Sequence, residues 1–282
     1  MTLVWAPGYN GITDPDAQTY IAAVEAADGQ AIEGDVALAI NDFVVGCKDD
    51  GIWDAIKVSC ILAGARTLSG ALVPLKGTAP TNNNFVSGDY NRETGLVGNG
   101  STKYLNTNTL NSSNPINNNH LSVWKNDTVT GTNPYFIGVL SGSNVNAVGQ
   151  VGIYNNSSNF FVGASAVGLI GVSRATASTV TVKRPGDSVA SGSLASTAAP
   201  SLSHFVYNIN SGGSTGTQWS ASRLSFYSIG ESIDLEKLDN RTTRLMNLIS
   251  YSLASGLPDL STIDLDAASY IGAGYRAGGT LS

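Results

Sequence analysis

Apolar and polar positions divide the 282-residue chain into three textures. In residues 14–62 the apolar side chains recur at helical spacing. Tyr20, Ile21, Val24 and Ala27 form one stripe, and Val36, Ile40, Phe43, Val44 and Cys47 a second. Ile52, Trp53, Ile56 and Ile61 form a third. The spacing predicts helices over about residues 14–29, 33–48 and 51–62. Asp14 caps the first, Pro15 suits its first turn, and Gly29 ends it. Residues 63–80 have no sustained period and read as a passage onto a sheet.

From residue 81 the texture becomes short β-prone runs. Residues 85–86, 95–97, 103–105, 120–124 and 135–139 are five of them. Residues 148–154, 159–162, 168–174, 179–183 and 204–209 follow. Turns rich in Asn, Ser and Gly separate them, such as Asn155-Asn156-Ser157-Ser158 and Ser211-Gly212-Gly213. Many short strands punctuated in this way predict an antiparallel sandwich rather than alternating βα units. Residues 182–189 read as a hairpin with Pro185 and Gly186 in its turn.

The third texture organises the rest. Leu224, Phe226 and Ser228 alternate with Ser225, Tyr227 and Ile229, and neither side is strongly polar. That pattern predicts a strand covered on both faces. Gly230 ends it, and Leu235, Leu238, Leu245, Ile249 and Leu253 then recur at helical spacing, with Thr242 in the gap. Ser232 reads as the N-cap, and Gly256 followed by Pro258 stops the helix. Its apolar face is expected against the N-terminal helices. The chain thus reads as mainly β with flanking helices: an arm (1–13), a helical module and passage (14–80), a sandwich (81–230), a helix packed on the module (231–256) and an extension (257–282).

Both ends carry aromatic side chains. Trp5 and Tyr9 lie in the N-terminal arm. In the extension, Asp266-Ala267-Ala268-Ser269-Tyr270-Ile271 echoes Asp16-Ala17-Gln18-Thr19-Tyr20-Ile21. An isolated short helix persists only if an apolar face is buried. Trp5, Tyr9, Tyr270, Ile271 and Tyr275 are therefore candidate assembly contacts of a homo-oligomer.

Charged residues make up only 13% of the chain and its formal net charge is −6. There is no Lys/Arg block, which argues against a nucleic-acid surface. No apolar run is long enough to span a membrane, and no signal peptide is apparent. Cys47 and Cys60 both lie in stretches read as helical and are expected as buried thiols, with a disulfide as the other arrangement.

Candidate chemistry is sparse. Within residues 85–220 the carboxylates are Asp89, Glu93, Asp127 and Asp187. A glycosidase needs two carboxyl groups facing one bond, and Asp89 and Glu93 are the only pair close in sequence. Asp89, Asn91 and Glu93 alternate as partial calcium ligands would, but no fuller ligand loop follows. His120 and His204 have no Cys, His or Glu at zinc spacing. Phosphate loops and Gly-x-Ser-x-Gly are missing. No metal, cofactor or catalytic set is expected. Trp219, in a polar loop context, and Trp124 are the candidate glycan contacts, stacking on a sugar while Asn, Ser and Thr hydrogen-bond to it.

The segment Arg223-Leu224-Ser225-Phe226-Tyr227-Ser228-Ile229-Gly230-Glu231-Ser232-Ile233-Asp234-Leu235, with its following helix, resembles the end of a domain widespread in tailed-phage virion proteins. Residues 39–56 and 62–75 resemble its start, and the resemblance covers about residues 14–255. It implies that the β portion is a concanavalin A-like (laminin-G-like) or jelly-roll sandwich. It also implies a non-enzymatic virion structural protein, made in the bacterial host cytoplasm and partnered by other virion proteins. Two roles follow as expectations: a capsid- or tail-decorating, cement-like component, or a tail-fibre or tailspike-type adhesin that binds host polysaccharide.

Overall fold

A computed structural model describes residues 11–128, 134–150 and 152–254. Two helices lead, α1 (Pro15–Asp28) and α2 (Gly34–Asp49), followed by β1 (Ile56–Ile61) and a single-turn α3 (Leu68–Ala71). The strands β2 (Thr81–Asn83), β3 (Tyr90–Asn91), β4 (Gly95–Val97), β5 (Tyr104–Leu110) and β6 (Asn119–Lys125) come next. Then follow β7 (Tyr135–Ser141), β8 (Asn144–Gly149), β9 (Gly152–Ser157), β10 (Phe161–Val162), β11 (Gly168–Arg174), β12 (Thr179–Lys183) and β13 (Ala190–Ser193). The series closes with β14 (Ser203–Val206), β15 (Asn210–Ser211), β16 (Ser214–Thr215), β17 (Arg223–Gly230) and α4 (Leu235–Leu253).

The strands form two largely antiparallel sheets. The first runs β13-β12-β11-β6-β17-β4-β3, with β1 also on β17. The second runs β10-β9-β8-β7-β14-β5-β2, with the small β15–β16 pair beside β7. Leu121, Val123, Ile170 and Tyr227 of the first sheet meet Ile137, Val148, Ile153 and Val206 of the second in the sandwich core. On its other face the first sheet offers Trp124, Leu169 and Phe226 to Phe43, Leu235, Leu245 and Ile249 of the helices. The order of layers is therefore helices, first sheet, second sheet. β17 lies in the middle of the middle layer, which explains why neither of its sides is polar: all but its first residue are buried.

α4 is placed as its apolar spacing predicts, against α2 and against β11 and β12. Leu235, Leu238, Leu245 and Ile249 are buried together with Thr242 and Met246. Thr242 fits because its hydroxyl donates back to the Leu238 carbonyl at 2.8 Å. Ion pairs Arg241–Asp50 (2.7 Å) and Lys183–Asp239 (2.8 Å) tie the helix to α2 and β12.

Several expectations are corrected. Residues 51–62 do not form a third helix. Only a short 3-10 turn at Trp53–Ala55 is helical, and β1 follows. Ile56 and Ile61 enter the helix-side core, while Val58, Cys60 and Leu62 enter the sandwich core. The physical reason is the free edge of β17: β4 pairs only with Arg223 and Leu224, and β1 pairs with the stretch from Phe226 to Gly230. A β-rich segment beside an open edge follows the pairing rather than its local helical spacing. Gly230 permits the join, because a methyl group there would lie 2.0 Å from the Ala55 carbonyl oxygen.

Cys60 is accordingly a strand residue, and Cys47 and Cys60 are both free and buried. The cap of α4 is Asp234, whose Oδ1 accepts from Glu236 and Lys237 amides at 3.0 and 3.2 Å, not Ser232. The run 148–154 straddles β8 and β9. Phe85 and Val86 precede a 3-10 turn instead of forming a strand. The hairpin at 182–189 is present, with Val182 opposite Ala190 and Gly186 at φ 80°. Trp5, Tyr9, Tyr270, Ile271 and Tyr275 lie outside the described residues.

Candidate recognition surface

Each sandwich carboxylate has a partner of its own. Asp89 pairs with Lys103 and accepts from the Val86 amide at 2.8 Å. Burial pushes its pKa up, but the Lys103 and Val86 hydrogen bonds outweigh it and hold the group below the ordinary range. Glu93 instead reaches toward α4, where it accepts from Ser250 Oγ at 2.6 Å. Asp127 pairs with Lys125 and accepts from the Arg223 amide at 2.6 Å. Asp187 pairs with Arg184 at 3.0 Å. Asn91 spends its side-chain oxygen on the Glu93 and Thr94 amides at 3.0 and 2.9 Å. Among the described residues, no group of three His, Cys, Asp or Glu is placed to hold a metal.

Both histidines are interior. His120 Nδ1 lies 2.5 Å from the Glu231 carbonyl and Nε2 lies 2.6 Å from Ser228 Oγ. The carbonyl can only accept, so Nδ1 carries the proton and Nε2 accepts from the hydroxyl. Burial lowers the pKa of His120 and of His204 to about 4. His120 thereby locks β6 to the turn that launches α4.

Between the sheets runs a polar ladder that the sequence reading did not find. Arg174 has no exposed surface. Its Nε donates to Asn155 Oδ1 at 2.8 Å, and its terminal nitrogens donate to the carbonyls of Asn155, Thr176 and Ala177. Asn155 in turn donates to Asn119 Oδ1 at 2.8 Å. Beside it, Asn146 donates to Asn111, and Asn111 to Asn156, each at 2.7 Å. Asn146 Oδ1 and Asn156 Nδ2 have no partner of their own, the setting in which interior waters are found. The signal for this ladder is Tyr154-Asn155-Asn156-Ser157 within a β-prone stretch. It reads as a turn because Asn favours turns, whereas all but Tyr154 are buried strand positions.

What the sandwich presents outward is aromatic and amide-rich. The second sheet has a solvent side, where Tyr135, Leu140 and Tyr154 pack on a small cluster of Val145, Ala147 and Ile209. Tyr135 and Tyr154 have ring centroids 6.3 Å apart, and Tyr154 and Phe160 are 5.1 Å apart at 32°. Gly152 allows this approach, since a methyl there would meet the Tyr154 ring at 2.5 Å. Phe160 remains 50% exposed and Val162 66%. A second group places Tyr104 4.6 Å from Phe205 and 6.0 Å from Trp219.

The two tryptophans nominated from sequence separate. Trp219 is half-buried at the surface, edge-on to Tyr104. Trp124 is 7% exposed within the helix-side core, so its ring faces α-helices and offers no plane to a sugar. Phe160, Tyr154 and Tyr135 were missed because aromatic side chains spread over separate strands meet only after the sheet has formed. Partly exposed ring faces beside Asn and Ser are suited to the apolar face of a pyranose or of an extended polar chain.

No protein-family model matches the chain, and no curated protein matches it.

Proposed function

We propose that the chain is a non-enzymatic structural component of a tailed-phage virion, carried on the surface of the capsid or tail as a decorating, cement-like protein. The observation that carries the non-enzymatic part is the distribution of the sandwich carboxylates. Each of Asp89, Glu93, Asp127 and Asp187 is committed to a different local partner. Glycoside hydrolysis needs two such groups facing one bond. The virion part rests on the resemblance of residues 223–235 and of residues 39–56 and 62–75 to phage virion domains. The mainly antiparallel two-sheet fold with its N-terminal helices and closing helix is compatible with that resemblance. Other virion proteins and further copies of the chain are the partners this reading requires.

Purified protein is expected to release no reducing sugar from host surface polysaccharide, measured by end-group assay. Asp89→Ala and Glu93→Ala are expected to leave that result unchanged. Cleavage that either substitution abolishes would overturn the reading.

A second reading, an adhesin for host polysaccharide, is favoured by the exposed aromatic group at Phe160. If that surface contacts glycan, Phe160→Ala should weaken binding on a glycan array by about 5- to 150-fold, the range of roughly 1–3 kcal/mol for a lost stacking partner. Phe160 is half exposed, so the fold should be unaffected. Equal binding by both proteins removes Phe160 from any such contact.

A further inference from the structure

We propose that the solvent side of β7–β10 in the second sheet is a self-association surface, covered by the same face of a second copy of this chain across a two-fold axis. Large apolar side chains stand out at its end: Phe160, Val162 and, just before β11, Val167 are all exposed. Alternation along β10 sends Phe161 inward, where a methyl on Gly192 of β13 would lie 2.2 Å from its ring. Phe160 and Val162 are thereby left on the outer side. There Phe160 continues the row of Tyr154 and Tyr135. β10 is also the last strand of its sheet. Edge strands are usually guarded by charge, and β10 has none of its own.

Charge identifies the occupant. Between Asp127 and Arg174 the sequence has no Asp, Glu, Lys, Arg or His, and β7, β8, β9 and β10 all lie in that interval. The whole chain has a formal net charge of −6, so two copies repel one another over most approaches. A two-fold contact sets one patch against itself, and any charge in the patch would face its like. The strands β7–β10 bring no charge to such a contact. At the rim, Arg184 donates to the Val162 carbonyl at 3.4 Å and is neutralised by Asp187 at 3.0 Å. A charged partner finds nothing on these strands to pair with, whereas a second copy offers rings to the rings.

Strand spacing sets the scale. Four strands about 4.8 Å apart span roughly 20 Å, the footprint of a small, reversible interface and not of an obligate one. Pairing through this face does not depend on the particle role. It covers the same rings that the adhesin reading gives to glycan.

Sedimentation of the purified full chain, from about 1 to about 300 μM, is expected to show a reversible monomer–dimer equilibrium, as suits an interface of that size. Phe160→Glu and Val162→Glu each bring like charges together and are expected to weaken the dimer by about ten-fold or more. Both residues are exposed, so circular dichroism and the urea midpoint should match those of the parent chain. Tyr251→Glu alters an exposed apolar residue of α4, beyond the first sheet, and should leave the dimer intact. A chain that stays monomeric throughout overturns the proposal. So does a dimer that Phe160→Glu and Val162→Glu leave unchanged, since it forms through another surface. A monomer whose glycan-array binding is lost in Phe160→Glu gives the face to sugar and overturns the proposal as well.

Discussion

Lowering the pH from 7 to 4 is expected to cost the folded state on the order of 3 kcal/mol for each of His120 and His204. In the fold each has its pKa lowered to about 4 from the ordinary 6.5, and one pKa unit corresponds to about 1.4 kcal/mol. The cause is burial, which disfavours the imidazolium. The sign follows from proton uptake. Between about 6.5 and 4 the unfolded chain binds a proton at each histidine and the folded chain does not, so stability falls as pH falls through that window. Below about 4 both states are protonated and the histidine contribution levels off. A second loss then begins, because Asp14, Glu33 and Asp89 are held below the ordinary carboxylate range by Lys48, Arg92 and Lys103 against the opposing effect of burial. Urea unfolding midpoints measured from pH 7 to pH 3 should show both phases. A His120→Gln variant should start less stable, having lost the Ser228 and Glu231 contacts, but should fall less steeply between pH 6.5 and 4. Parallel profiles would show that His120 does not titrate as the fold requires.

Phe226→Ala is expected to destabilise the chain by about 3–5 kcal/mol, the usual cost of emptying a buried aromatic site. Phe226 has no exposed surface and meets Phe43 edge-on, with centroids 5.7 Å apart. It sits where β17 turns one face to the helices, so its loss opens a cavity at the junction of two layers. Against a typical total of 5–15 kcal/mol, that leaves a chain close to unfolding at ordinary temperature. Phe226→Leu keeps most of the volume and should cost clearly less. A chemical denaturation midpoint unchanged by Phe226→Ala would mean that the helices do not depend on this sheet.

The fold was legible where one face of an element is buried and the other is not, or where both are. The α4 stripe of Leu235, Leu238, Leu245 and Ile249 could be read directly, and so could the two covered faces of β17. β11 and β12 carry the same bounds in the sequence and in the structure. What the sequence hid was set by partners far along the chain. Ile56, Val58 and Cys60 become strand only because β17 leaves an edge open to them. Asn155 and Asn156 look like turn residues until Arg174 from β11 and Asn111 from the turn after β5 arrive to hydrogen-bond their side-chain oxygens. The aromatic surface at Tyr135, Tyr154 and Phe160 belongs to the same class, whereas Trp124, beside alternating apolar positions, was as compatible with the core as with a surface.

The proposed role puts this chain on the outside of a phage particle as a structural protein. Gold-labelled antibody against the sandwich, applied to intact purified particles and viewed by electron microscopy, tests it most directly. Many labels per particle are expected at regular positions on the head or tail, with the chain recovered in quantity from the same particles. Particles that carry neither label nor chain, while the protein is abundant in the infected cell, would contradict it.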